Sequence, residues 1–177
     1  MLFSRSTYSL LSILLVAVGA VVFIGCRKVP KFSETPNIQY KDIRKVTFFN
    51  ADQLIDADSI ILGIHFEDGD GDLGFPEDNR SEANLDYFVE VYRQTGGVFT
   101  PIVYEGVNYN GHLPLLAPVS TPGPIEGDIY YNMIFNYGDV IQQPLNDTLK
   151  FFVRIKDRKG NYSNTIESDP VIIRKTL

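Results

Sequence analysis

The sequence predicts an all-β fold, an antiparallel β-sandwich of about seven strands. Three observations support this prediction. Apolar and polar residues alternate in several short segments, as in strands with one buried face. Turn-forming Gly, Pro, Asn and Asp residues separate these segments. No segment after residue 40 repeats its apolar residues at the period of a helix. Short strands joined by turns are typical of a sandwich rather than an α/β fold.

The predicted strands are residues 45–49, 59–67, 86–94, 97–105, 127–137 and 147–157, and a last strand that follows the "DRKGN" turn and has residues 169–175 at its end. Two of them alternate best, with Ile60, Leu62, Ile64 and Phe66 on one face of the second strand and Leu149, Phe151, Val153 and Ile155 on one face of the sixth. A Thr-Gly-Gly turn joins the third and fourth strands as a hairpin. The proline-rich residues 112–124, "HLPLLAPVSTPGP", are expected to form a loop that crosses the sandwich.

The end of the chain resembles a known fold. "FFVRIKDRKGNYSNT" (151–165) is similar to the last hairpin of bacterial immunoglobulin-like and fibronectin-type-III-like modules. About thirty residues carry this resemblance. It implies that residues 41–177 form a single immunoglobulin-like domain.

The N-terminus has the pattern of an export signal. Arg5 precedes an apolar stretch, "LLSILLVAVGAVVFIG", which is short for a membrane span and ends at Cys26. "FIGC" is similar to the lipobox of bacterial lipoproteins, although Phe23 stands where leucine is usual. The resemblance implies that residues 1–25 are removed and that Cys26, the one cysteine of the chain, carries a lipid. An uncleaved membrane anchor is the alternative.

Residues 26–40 contain two prolines and little apolar periodicity, so they are predicted to tether the lipid to the domain. The chain has 16 basic and 22 acidic residues. Loss of residues 1–25, whose only charge is Arg5, leaves 15 basic and 22 acidic residues and a net charge of −7. This sign argues against a nucleic-acid partner, because phosphate binding requires a basic face.

The negative charge lies in one predicted loop. Residues 67–86 hold eight acids and one base, Arg80, and so account for the whole net charge. "DGDGD" (68–72) places carboxylates at alternate positions, and its glycines allow the backbone to curl. Calcium takes about six to eight oxygen ligands, so the loop predicts a calcium site. The predicted ligands are Asp68, Asp70, Asp72, Glu77, Asp78 and, from the last hairpin, Asp157, with Asn161 as a further candidate.

Other interpretations of this loop stay open. An EF-hand is excluded, because Leu73 and Asn79 occupy the positions that require Gly and Glu. Arg158 and Lys159 of the last hairpin are alternative partners that would neutralise the carboxylates without a metal. A solvated loop with Asx-turns is the third interpretation. Repulsion between close, unpaired carboxylates favours the metal.

A second resemblance covers most of the mature chain. The lipobox, "GIHFEDGDGDLG" (63–74), the "GVF" hairpin and "DRKGN" occur in an order similar to that in small lipoproteins of Bacteroidetes-type bacteria. The resemblance implies a lipid-anchored place in the cell envelope, at the outer membrane, and implies no activity. Arg27 and Lys28 follow Cys26, whereas surface-export signals in that group are acidic, so the periplasmic face is favoured over the cell surface.

The predicted function is therefore a non-catalytic binding or structural module, with an envelope protein or a glycan as a candidate partner. One alternative is a carbohydrate-binding accessory module of an envelope uptake system, whose candidate sugar-stacking residues are Tyr104, Tyr109, Tyr130, Tyr131 and Tyr137. The other is a metal-dependent hydrolase, which requires His65 or His112 in a cleft beside the carboxylates. No nucleophile motif accompanies either histidine.

Overall fold

A computed structural model describes residues 30–103, 106–137 and 146–174. The predicted signal peptide, the proposed lipidation site Cys26 and Tyr104 lie outside these residues. Within the described ranges, no helix has the length and apolar character needed to cross a membrane.

The described chain folds as two antiparallel sheets, which confirms the predicted β-sandwich. Its strands are β1 (Asn37–Asn50), β2 (Ile55–Asp68), β3 (Tyr87–Thr95), β4 (Val98–Ile102), β5 (Ile125–Asn136), β6 (Asp147–Ile155), β7 (Ile166–Glu167) and β8 (Val171–Ile173). One sheet has the order β1-β2-β5. The other has the order β4-β3-β6, and both β7 and β8 pair with β6.

The predicted last strand is divided into β7 and β8, which pair with different parts of β6. Pro170, between them, has no backbone N–H to donate to the ladder. Ser168 bridges the interruption. Its hydroxyl accepts the N–H of Phe151 at 3.0 Å, and its own N–H donates to the Phe151 carbonyl at 2.9 Å.

Burial confirms the alternation predicted for the second and sixth strands. The eight apolar side chains that define the two faces are all 0–4% exposed: Ile60, Leu62, Ile64, Phe66, Leu149, Phe151, Val153 and Ile155. The rings of Phe135 in β5 and Phe151 in β6 lie 6.0 Å apart and connect the two sheets. Each buried side chain of this size contributes about 1.5–3 kcal/mol to folding.

The domain begins earlier in the chain than residue 41. β1 starts at Asn37, so residues 37–40 of the predicted tether belong to the sheet. Ile38 is 1% exposed, and its backbone N–H and carbonyl both bond to the side chain of Asn164 at 2.8 Å. The prediction that the tether extends to residue 40 was wrong. Residues 37–40 belong to the sheet, and the side chain that bonds to Ile38 comes from Asn164, far along the chain.

Three connections meet at one end of the sandwich. The β2–β3 connection contains two single-turn 3₁₀ helices, Glu77–Asn79 and Glu82–Asn84. The β6–β7 hairpin reaches it, since the N–H of Arg158 donates to the carbonyl of Asp72 at 3.1 Å. The β4–β5 connection also reaches it, since the N–H of Gly123 donates to the carbonyl of Asp70 at 3.1 Å. The predicted proximity of the acidic loop and the last hairpin is therefore confirmed.

Candidate metal centre

Two glycines determine the course of the loop that follows β2. Gly71 and Gly74 have φ angles of +71° and +76°. A Cβ atom would lie 2.4 Å from the Gly123 carbonyl oxygen if placed on Gly71, and 2.0 Å from the Pro114 carbonyl oxygen if placed on Gly74. Only glycine combines this backbone conformation with so close an approach. The loop is thus packed against the β4–β5 connection.

The curled loop brings three predicted ligands together. One carboxylate oxygen from each of Asp68, Asp70 and Asp72 lies within 4.8 Å of the others. Asp68 is 0% exposed and Asp72 is 9% exposed. The Oδ1 atoms of all three are buried and have no hydrogen-bond partner. We call these three residues the acidic cluster.

Two buried acids elsewhere in the domain, Asp147 and Asp58, have basic partners. Asp147 is 4% exposed, and the guanidinium of Arg93 lies 2.7 Å from its carboxylate. Asp58 is 0% exposed, lies 3.7 Å from Lys45 and accepts the hydroxyl of Thr47 at 2.6 Å. Unpaired buried charge is costly, so a fold normally provides such partners. For Asp68 and Asp72, no basic side chain within ion-pair distance is found among the described residues.

The electrostatics of the acidic cluster follow from this lack of partners. The pKa of Asp68 is raised to about 6, first because burial penalises the charged form and then because Asp70 and Asp157 are close. The pKa of Asp72 is also raised to about 6, by burial and then by the charges of Asp157, Asp70 and Asp68, while Arg158 opposes the rise. Both carboxylates are therefore destabilising when they ionise.

Asp157 lies beside the acidic cluster, as predicted, but its oxygens already have partners. It is 1% exposed, and its carboxylate accepts the backbone N–H and the side-chain amide of Asn161, each at 2.7 Å. Asn161 therefore orients Asp157. Asp157 adds negative charge to the centre.

The two basic residues of the last hairpin compensate this charge only in part. Lys159 donates to Asp70 and also lies 3.7 Å from Glu34, which precedes β1. Arg158 donates to backbone carbonyls instead, at 2.7 Å to Gly74 and 3.2 Å to Leu73. Four carboxylates, counting Asp157, face these two cations, and Glu34 beside Lys159 is a fifth, so the formal charge around the acidic cluster stays negative. The contact with Glu34 was not foreseen, because nothing in the sequence links it to the loop.

Two predicted ligands do not reach the acidic cluster. Glu77 and Asp78 are exposed and lie on a 3₁₀ turn that has no buried residue. After Gly74 the chain turns away, and Arg80 holds it there by donating to the carbonyls of Phe75 and Leu113, each at 3.3 Å. The prediction that Glu77 or Asp78 is a further metal ligand was therefore wrong. Both residues are close to the acidic cluster in sequence, but this turn directs them into solvent.

Neither histidine faces the acidic cluster. His65 is half-buried on β2, its Nδ1 lies 2.9 Å from the carboxylate of Asp128, and it groups with Glu67 and Glu126 within 4.8 Å. His112 lies beside Asp86, a buried acid whose raised pKa results mainly from burial. Within the described ranges, neither histidine groups with the three carboxylates of the acidic cluster, as the hydrolase alternative would require.

The predicted tyrosine surface is not continuous among the described residues. Tyr131 stacks on the buried Tyr87 with ring centroids 4.1 Å apart, and Tyr109 stacks on Phe135 at 4.7 Å. Tyr130 is 45% exposed and lies under Arg44. These rings serve packing and cross-strand contacts.

Fold and site together define an antiparallel β-sandwich with a buried, incompletely compensated acidic cluster at one end. No protein-family model, no curated protein and no solved structure matches the chain.

Proposed function

We propose that this chain is a lipid-anchored protein of the bacterial cell envelope, and that its β-sandwich is a non-catalytic binding or structural module stabilised by calcium. One observation carries the calcium proposal. Asp68, Asp70 and Asp72 each have a buried carboxylate oxygen without a hydrogen-bond partner, and one carboxylate oxygen of each lies within 4.8 Å of the others. A cation supplies the missing partner for all three oxygens.

The donor set favours calcium among divalent ions. All three groups are carboxylates, which are hard oxygen ligands that suit calcium and magnesium. Zinc prefers nitrogen and sulfur, and the acidic cluster contains neither. Magnesium demands a near-octahedral shell and keeps several waters, whereas calcium accepts irregular sets of protein oxygens. The net negative charge around the acidic cluster also favours a divalent cation.

Thermal melting of the full chain in detergent, with calcium or with a chelator, tests this proposal. Calcium at about 100 times its Kd is expected to stabilise the fold by about 2.7 kcal/mol. For a domain of this size that corresponds to a rise in Tm of about 8 °C. Asp70→Asn is expected to remove most of the rise. The matched control is Asp78→Asn, an exposed acid of the same connection, which is expected to keep it. Equal Tm values of the wild type in calcium and chelator would exclude the site.

The lipid anchor is supported by the sequence of residues 1–26. Cys26→Ser is expected to abolish lipid modification, measured by mass spectrometry of the N-terminal peptide, and to release the protein from the membrane fraction. An unmodified Cys26 in the wild type would contradict this part of the proposal. Protection of the protein from protease added to intact cells would support the periplasmic face, and digestion would support the surface.

A further inference from the structure

A ladder of aromatic and charged side chains covers the outer face of β3 and β6. The register pairs Phe88 with Arg154, Glu90 with Phe152, and Tyr92 with Lys150. The rings of Tyr92 and Phe152 lie 4.4 Å apart. Tyr162, from the β6–β7 hairpin, extends the surface and is 45% exposed. We call this surface, which consists of Phe88, Glu90, Tyr92, Phe152, Arg154, Lys156 and Tyr162, the aromatic face.

Two cations of the aromatic face contact rings rather than acids. The guanidinium of Arg154 lies 4.6 Å from the Tyr162 ring centroid and 5.6 Å from that of Phe88. The ammonium of Lys156 lies 5.4 Å from the Phe88 ring centroid. Among the described residues, neither has a carboxylate oxygen within 4.0 Å. Arg80 and Arg158 donate to backbone carbonyls instead. Six other cations have a carboxylate partner, namely Lys41, Arg44, Lys45, Arg93, Lys150 and Lys159. In a strongly acidic protein, these two charges are available to an anionic ligand.

A cavity of about 190 Å³ opens beside Arg154. Phe88 and Phe152 contribute aromatic surface to its wall, and its polar groups are Arg154, Glu90, Asn110 and Thr165. The side-chain oxygen of Asn110 accepts the N–H of Val89 at 2.8 Å, so its amide hydrogens point elsewhere and can donate. Glu90 accepts hydrogen bonds, and Thr165 both donates and accepts. Donors and acceptors around an aromatic wall suit a ring that carries several hydroxyl groups.

A second cavity, of about 300 Å³, shares Val89, Glu90 and Asn110 with the first. Pro101, Ile102 and Tyr109 contribute to its lining. Because they share three lining residues, the two cavities adjoin along β3, and we call the pair the groove. A groove with adjoining compartments suits a chain of linked rings better than a single small molecule.

We propose that this groove binds a carboxylated polysaccharide, with one uronic-acid ring against Phe88 and Phe152 and its carboxylate on Arg154. Aromatic faces pack against the C–H surface of a sugar ring, and guanidinium pairs with carboxylate in a planar, two-point geometry. The inference names a ligand for the binding module of the proposed function and rests on that function, but it requires neither calcium nor the lipid anchor.

Affinity electrophoresis of the full chain in detergent, through gels that contain a uronic-acid polymer, tests the proposal. Polygalacturonate, alginate and hyaluronate are the probes, and polyglutamate is the control for polyanions that lack sugar rings. At least one uronic-acid polymer is expected to retard the wild type, and polyglutamate is not. Failure of all three polymers would overturn the proposal. Equal retardation by polyglutamate would also overturn it, because an acidic peptide would then suffice.

Variants then locate the site. Arg154→Gln is expected to weaken binding about tenfold to a hundredfold, as for a lost charge-assisted hydrogen bond. Arg44→Gln is the matched control, since Arg44 also lies over a tyrosine ring, 4.8 Å from the centroid of Tyr130, on the other sheet. Equal losses in the two variants would place the binding elsewhere. Arg154→Gln is expected to retain the calcium-dependent rise in Tm, and Asp70→Asn is expected to retain polymer binding in calcium-free buffer, so the two proposals fail independently.

Discussion

Replacing Asp68 with asparagine is expected to change stability in a way that depends on calcium. Asp68 is fully buried, its Oδ2 accepts the N–H of Asp72 at 3.0 Å, and its Oδ1 has no partner. Asparagine retains a carbonyl oxygen that can accept the same N–H. The substitution therefore removes the charge and keeps the shape and the hydrogen bond of the loop.

The magnitude follows from the pKa of Asp68, which is raised from 3.8 to about 6. Each pKa unit corresponds to about 1.36 kcal/mol. The folded state binds the proton more tightly than the unfolded state, so stability falls as pH rises from about 4 to about 6 and stays lower above that range. Ionisation of Asp68 thus lowers the free energy of unfolding by at most about 3 kcal/mol at pH 7.5. Without calcium, Asp68→Asn is expected to be more stable than the wild type by part of this amount. The gain is partial because the ionisation of Asp68 is coupled to that of Asp72.

Calcium is expected to reverse the order of the two proteins. The wild type gains about 2.7 kcal/mol at about 100 times the Kd, whereas the variant lacks one ligand and gains less. Urea unfolding at pH 7.5, in chelator and in calcium, measures all four stabilities.

The control is Asp147→Asn, which removes a buried carboxylate that Arg93 already neutralises. Its free energy of unfolding is expected to fall by about 3–5 kcal/mol in both buffers, because the buried ion pair between Asp147 and Arg93 is broken. If Asp68→Asn behaved like this control, with the same loss in chelator and in calcium, the reasoning about an uncompensated charge would be refuted.

Three further predictions concern pH, the loop backbone and the start of the domain. In chelator, the difference in free energy of unfolding between Asp68→Asn and the wild type is expected to grow as pH rises from about 4 to about 7. A difference between their urea midpoints that does not change with pH would contradict this prediction. Gly74→Ala is expected to lower the free energy of unfolding by about 1–3 kcal/mol more than Gly106→Ala does. Both glycines have a φ of +76°, but nothing lies within 4 Å of a Cβ on Gly106, so equal losses would show that the contact with Pro114 is unimportant. Asn164→Ala is expected to cost about 1–3 kcal/mol through its two bonds to Ile38, with faster hydrogen exchange at Ile38 than in the wild type as the local readout.

Local patterns were enough to predict the fold class. A strand with one buried face must alternate apolar and polar residues, and this period is visible within a few residues, as in β2 and β6. Strand and domain boundaries that depend on residues distant in the chain could not be predicted from these local patterns. Ile38 belongs to the domain because Asn164 bonds to it, and the last strand is divided where Pro170 cannot donate.

The candidate site was predicted only in part for the same reason. Asp68, Asp70 and Asp72 are close in sequence and separated by single residues, so a curled loop brings them together. Glu77 and Asp78 are almost as near in sequence, yet the turn held by Arg80 carries them into solvent. The aromatic face was missed because its pairs, such as Phe88 with Arg154, depend on the register between β3 and β6.

The sequence by itself determined the β-sandwich class and the acidic loop, because alternation, turn residues and carboxylate spacing are local properties of the chain. Only the tertiary structure decided which carboxylates are brought together with a buried oxygen that has no hydrogen-bond partner, and which cations face aromatic rings instead of acids. Burial and charge compensation depend on residues that the fold brings from distant positions, as Asp157 beside Asp72 illustrates.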